Sequence, residues 1–381
     1  MKRLLFFFPE NPLKKDSGNK TRAQELLTYF KSRGFEIDFV GTKFKDFQES
    51  DVKLLEKDWV NKVHLIERKP AKNNLFKYFF TFKIPSLFYK RSKISNFVTY
   101  TFQKQFDAIL EANSYDIILI SYVYWAELVI NNKRIKTAKT IIDTHDFATV
   151  QAQFQKNFRL GTFFQKEISR LDYFDQVWAI SYDEYYVFSQ FTKSKVFLIP
   201  FSIKNNTGIV SEKNNWDLIY VASGNIHNTT SANWFFEYVY PLLPKELKIV
   251  VIGKVSLKIS DYDNVEKINF VDDLFSYYTQ SKIAICPMLT GSGLKIKVVE
   301  AQSFGLPIVC NSRGVDGLAN KSNNGCLIAD DAEIFADYII KLAHDSDFYK
   351  ETRQLSISNF LTNHSIEKVN SKLDAAFRSL N

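Results

Sequence analysis

GSGLKIKVVEAQSFGLPIVCN, residues 291–311, runs from a glycine turn into a helix and then, through Gly305 and Pro307, into an apolar strand. Its physical character suits an anionic ligand. Gly291 and Gly293 permit close backbone approach, the helix start supplies unpaired N–H groups and the positive end of a dipole, and Lys295 and Lys297 add charge. A diphosphate is the natural guest. Farther along the helix, Glu300 stands among Val298, Val299 and Ala301, where a carboxylate can accept hydrogen bonds from the 2- and 3-hydroxyls of a ribose. Taken singly, the glycines read as a tight turn and the lysines as a solvated helix face. The run as a whole points to phosphate and ribose held by one helix.

The surrounding chain alternates strand-like and helix-like patterns, the rhythm of parallel sheets covered by helices. Strands are expected at Arg3–Phe8, Glu36–Val40, Asp116–Ser121, Thr140–Asp143, Val177–Ile180 and Val196–Ile199, with an amphipathic helix over Thr21–Arg33 closed by Gly34. After the polar stretch Lys204–Asn215, a second series follows at Leu218–Ala222, Lys248–Ile252, Asn269–Val271, Ile283–Pro287, Ile308–Asn311 and Cys326–Ile328. These patterns predict an α/β chain of two doubly wound, Rossmann-like domains. The expected division is 1–205 and 206–364, with a terminal helix over 365–381 returning to the first domain and ligands bound in the crevice where the two domains face one another.

Composition narrows the classes. The chain has 381 residues, 45% hydrophobic and 24% charged, enough for two domains with cores of their own. Cys286, Cys310 and Cys326 lie in apolar contexts without CxxC spacing, which argues against a zinc site or a disulfide framework and suits a reducing, cytoplasmic compartment. The opening apolar run, Leu4–Phe8, ends at Pro9 and is too short for a signal-peptide core or a membrane span. The net charge of +8 is unevenly spread: residues 69–106 hold eight Lys or Arg, eleven aromatics and no acid. That block reads either as a buried aromatic helix pair with solvated lysines or as a surface for an anionic membrane, with Lys83, Lys90, Arg91 and Lys93 as its test positions. No nucleic-acid recognition motif accompanies the charge.

The stretch GSGLKIKVVEAQSFGLPIV resembles the C-terminal signature of retaining GT-B glycosyltransferases of family 4, in the variant reading GxGxKxKxxEA. The resemblance implies a fold of two Rossmann-like domains across a cleft and transfer of a sugar from a nucleotide-sugar donor to a glycan, lipid-linked or other hydroxyl acceptor. It places the donor diphosphate on the turn Gly291, Ser292, Gly293 and Leu294 and on Lys295 and Lys297, which would stabilise the leaving oxygens, and the donor ribose on Glu300. Ser292 stands where the commoner pattern has a second glutamate. Gly18, in KKDSGNKTRAQELLTYFKSRGFEIDFV, matches the donor-phosphate loop of the first βα unit, and Arg22 one turn later is a candidate for phosphate or acceptor. Gly224, in DLIYVASGNIHNTTSANWFFEYVYPLL, matches the corresponding loop of the second domain.

His145, in IIDTHDF, resembles the family's histidine near the donor sugar. Asp143 and Asp146 beside it are candidate polar or acid/base groups, Asp146 also for the acceptor, with a helix N-cap as its ordinary alternative. The resemblance implies no cofactor and no metal, and His145 has no HxH or HxxxH partner. Polysaccharide or glycoconjugate synthesis at the inner face of the membrane is the expected setting. A sugar-nucleotide epimerase on the same architecture, or a non-catalytic protein with a degenerate site, is the alternative.

Overall fold

The computed structural model describes residues 2–14, 17–44, 47–69, 75–84, 96–209, 214–291 and 293–380. The chain forms two compact units, Met1–Ile180 with Glu184–Ile199 and Lys372–Asn381, and Ser181–Asp183 with Pro200–Ser371.

In the first unit, strand β1 (Arg3–Phe7) leads through helix α1 (Gly18–Ser32) to β2 (Glu36–Thr42), then α2 (Glu49–Asp58), β3 (Lys62–Ile66), α3 (Tyr100–Ala112), β4 (Ile117–Ser121), β5 (Lys139–Asp143), α4 (Leu160–Leu171), β6 (Gln176–Ala179), α5 (Tyr182–Phe191) and β7 (Lys195–Leu198). The seven strands form one sheet in the order β3-β2-β1-β4-β5-β6-β7. Every pairing is parallel. The central strands are buried on both faces, which is why RLLFF and IILIS read as unbroken apolar runs. Helix α1 begins at Gly18, three residues before the expected Thr21, and stops at Gly34, whose φ of +72° ends it in the left-handed region.

The second unit repeats the scheme with β8 (Trp216–Val221), α6 (Ile226–Trp234), β9 (Ile249–Ile252), β10 (Val265–Ile268), β11 (Ser281–Cys286), α7 (Ile296–Ser303), β12 (Ile308–Cys310), β13 (Cys326–Ile328), α8 (Ala332–His344), α9 (Ser346–Asn363) and α10 (Ile366–Arg378). Its order is β10-β9-β8-β11-β12-β13. Two edge strands depart from expectation. β3, KVHLI, is half exposed and shows no apolar run, so its sequence does not announce it. β10 lies at VEKI, four residues before the expected Asn269–Val271, because an edge strand with one exposed side tolerates charge. The last turns of α10 belong to the first unit: Asp374 accepts from Arg33 and Tyr29 at 2.8 Å, and Phe377 packs edge-on to Trp178 at 5.5 Å. Cys286, Cys310 and Cys326 are free and buried.

Candidate functional site

Each sheet has a switch point, between β1 and β4 in the first unit and between β8 and β11 in the second. In open α/β sheets, ligands bind at the carboxyl ends of the strands there.

At the first switch point, the loops after β4 and β5 carry two non-glycine residues in the left-handed region, Tyr122 (φ +68°) and His145 (φ +58°). Such conformations cost on the order of 1–3 kcal/mol each and persist only where the surroundings fix them. Here the surroundings do so. The two rings stack at 4.2 Å, Phe8 lies behind His145 at 5.8 Å, and the Tyr122 N–H donates to the Asp143 carbonyl at 2.8 Å. His145 Nε2 is 2.9 Å from Asp143 Oδ2.

Asp143 is fully buried and is gripped by Arg22, whose Nε lies 2.9 Å from Oδ2 and Nη2 2.6 Å from Oδ1. Arg22 is therefore an interior side chain, with its Nε and Nη2 taken up by Asp143. Burial alone would raise the Asp143 pKa, but Arg22 and then His145 outweigh it and hold the carboxyl well below its ordinary range. Asp143 is therefore a buried carboxylate paired with Arg22 and His145.

Asp146 differs. Burial pushes its pKa up to about 6, against a smaller opposing effect of His145. It is not a helix cap: the short helix Ala148–Gln151 has Phe147 at its N-cap, and the N–H groups of Ala148 and Thr149 donate instead to Glu167, at 2.8 and 2.7 Å. Asp146 is left as a desolvated carboxyl beside the strained pair. Gly18 is the first residue of α1, one turn before Arg22.

At the second switch point, the loop after β11 is tied down from three sides. Asn311 Oδ1 accepts from the Met288 N–H at 2.9 Å, Ser231 Oγ accepts from the Leu289 N–H at 3.1 Å, and His227 Nδ1 lies 2.8 Å from Thr290 Oγ1. Gly291 (φ +93°) and Gly293 (φ +80°) then turn the chain, as any side chain there would strain it. Ser292 lies outside the described residues. Leu294 packs against Gly317, where an added Cβ would come within 3.0 Å of the Leu294 Cα. Gly224 lies close to Lys254, whose Cβ would be 3.0 Å from an added Cβ.

Lys295 is the N-cap of α7 and is buried, its Nζ donating to the Gly293 carbonyl at 2.7 Å and the Gly291 carbonyl at 3.4 Å. Lys297 Nζ donates to Asn228 Oδ1 at 2.8 Å and sits 5.7 Å from the Tyr220 ring centroid. Neither lysine follows the solvated-face reading: the Lys295 amine is taken up by the turn that precedes the helix and the Lys297 amine by Asn228. Burial lowers both pKa values. The Lys295 amine has Asp316 at 3.9 Å, whereas among the described residues no carboxylate lies within ion-pair distance of Lys297.

Glu300, on the same helix, accepts from the Tyr278 hydroxyl at 3.1 Å, and burial raises its pKa to about 7. Tyr278, Asn228 and Tyr122 carry no motif of their own. Their partners lie 22 or more residues away in the chain for the first two, and Tyr122 is marked only by a backbone angle.

Residues 217–345 match the family model described as Glycosyl transferases group 1. An uncharacterised 44.6 kDa protein in the cps region of Klebsiella pneumoniae is 22% identical over 411 residues, covering 98% of this chain and 99% of its own length. Among solved structures, sucrose-phosphate synthase from Thermosynechococcus elongatus superposes with a TM-score of 0.72 at 13% identity, over 100% of this chain and 99% of that one. Anabaena HepE in complex with UDP gives 0.68 at 13% identity, over 100% of both chains. A mutant of S. aureus TarM in complex with Fondaparinux, alpha-GlcNAc-glycerol and UDP gives 0.68 at 14% identity, over 99% of this chain and 100% of that one.

Proposed function

We propose that this chain, a GT-B glycosyltransferase whose second unit carries a glycosyl transferases group 1 domain, moves a sugar from a nucleoside diphosphate donor, a UDP-sugar, to a glycan hydroxyl in surface polysaccharide synthesis. The observation that carries the reading is the pair of inward-pointing amines at the start of α7, on the switch-point edge of the second sheet, where among the described residues Lys297 has no carboxylate to neutralise it. A diphosphate supplies the missing charge, and the Gly291–Leu294 turn supplies N–H donors where charge develops as the diphosphate leaves. The UDP bound in HepE and TarM favours uridine as the base, and the cps-region relative favours a polysaccharide product. His145 meets the donor sugar, Asp146 the acceptor, and the reaction proceeds with retention and without a metal or other cofactor.

Glu300 gives this reading a pH signature. Only the carboxylate form accepts two ribose hydrogen bonds, so with a pKa of about 7 in the free protein, donor affinity should rise through neutral pH and level off above it. Glu300→Gln should flatten that profile, and Glu300→Ala should cost on the order of 1.5–3 kcal/mol of donor binding with normal melting. Calorimetric titration across pH is the check; a flat wild-type profile together with full affinity in Glu300→Ala removes the ribose role.

The location we propose is cytoplasmic, at the membrane face. Among the described residues no helix is long and apolar enough to cross a membrane. Yet Leu75, Phe76, Phe79 and Phe80 are 72, 75, 53 and 52% exposed, with the Phe76 and Phe80 rings 4.5 Å apart. Clustered aromatics beside lysines suit the headgroup boundary of an anionic bilayer. Of the lysines and arginine chosen from the sequence, Lys83 is exposed, while Lys90, Arg91 and Lys93 lie outside the described residues. The native chain should sediment with phosphatidylglycerol vesicles at low salt, and Phe76→Ser combined with Phe80→Ser should leave it in the supernatant. Native protein that never sediments points to a soluble acceptor instead.

A further inference from the structure

The first unit has a concavity of about 250 Å³ that none of the assignments above uses. Phe97, Tyr124 and Phe163 line it together with the small side chains of Ala148 and Ala152, and Gln151 and Gln155, both exposed, complete the lining. Its place in the chain is close to the strained pair. Tyr124 is two residues beyond Tyr122, and Ala148 three beyond His145, so the same two loops shape both features.

The chemistry of the lining is selective. Among the described residues no charged side chain lines the cavity, which disfavours a phosphate, and its volume is too small for a whole nucleotide. Aromatic faces cover the C–H surfaces of a flat, uncharged ring, and each carboxamide both donates and accepts, matching hydroxyl groups. A bare hydrocarbon would leave the carboxamides unused. The aromatic wall is fixed in advance: Phe97 lies 5.1 Å from the Tyr124 ring, and the Arg68 guanidinium sits 4.7 Å from the Phe97 centroid. Tyr124 also stays protonated, its pKa pushed up to about 12 by burial and then by Asp146, so its hydroxyl remains a donor.

We propose that this cavity, walled by Phe97, Tyr124 and Phe163 and completed by Gln151 and Gln155, seats one neutral pyranose ring of the acceptor glycan. The proposal rests on the glycosyltransferase reading for the word acceptor, but the presence of a sugar site stands on the cavity alone.

Saturation-transfer NMR on the full chain tests it, with methyl and hexyl α-D-glucopyranoside and galactopyranoside as probes and UDP as a separate ligand. At least one pyranoside should receive saturation at its ring protons. Gln151→Ala combined with Gln155→Ala, both at exposed positions, should weaken that pyranoside about tenfold through two lost hydrogen bonds, with UDP binding and melting unchanged. Three results overturn the proposal: no pyranoside binds the native chain, the double variant binds it equally well, or saturation reaches the hexyl chain in place of the ring. Pyranosides that bind as expected while UDP does not would keep the sugar site and reject the transferase reading.

Discussion

Arg22→Met is expected to destabilise the first unit by about 3–5 kcal/mol, because it leaves the Asp143 carboxylate fully buried without its cation. Urea unfolding followed by tryptophan fluorescence measures this, since Trp125 and Trp178 both lie in the first unit's core, and the transition should be treated as that unit's own. Asp143→Asn should also be costly, whereas Arg22→Met combined with Asp143→Asn should cost less than the sum of the two, as for any pair that acts together.

The pH dependence has a fixed sign. The Asp143 pKa is lowered in the folded chain, so its contribution to stability is present above the ordinary value of 3.8 and is lost as pH falls through the lower folded value. Arg22→Met should remove that acid-side loss along with the stability. A variant within about 1 kcal/mol of the native protein, less than a broken buried pair costs, contradicts the assignment.

Lys297→Met should separate stability from function. The native amine is desolvated with Asn228, Met288 and the Tyr220 ring around it, so an apolar side chain of similar length should change the free energy of unfolding by no more than about 1 kcal/mol. Turnover should nevertheless fall about 100- to 1,000-fold, the usual effect of removing one group aimed at developing charge. Lys295→Met should behave unequally, costing stability as well, because the Lys295 amine holds the carbonyls of Gly291 and Gly293 and thereby the shape of the turn. Unchanged turnover in Lys297→Met would remove this residue from the site.

The sequence showed the parts of the fold that depend on local pattern. Buried parallel strands are continuous apolar runs, so β1, β4, β5, β11 and β12 could be read to within two residues. Two of the four edge strands, β3 and β10, lack such a run and escaped or slipped for that reason. Within the candidate site, the Gly291–Glu300 run was legible because turn, charge and helix follow one another in the chain.

What could not be read was pairing at long range. Arg22 meets Asp143 across 121 residues, Lys297 meets Asn228 across 69, and neither has a spacing that announces it. The left-handed backbone of Tyr122 and His145 is likewise hidden, since no local pattern marks it and the packing around them imposes it.

The most direct test of the donor assignment is a thermal-shift and calorimetric titration of the native chain with UDP, GDP, ADP and CMP, with Glu300→Ala and Lys297→Met alongside. UDP is expected to bind and, at about a hundred times its dissociation constant, to add roughly 2.7 kcal/mol of stability, with the gain much reduced in both variants. A native chain that none of the four nucleotides or their sugars stabilises, or variants that gain as much as the native protein, would contradict it.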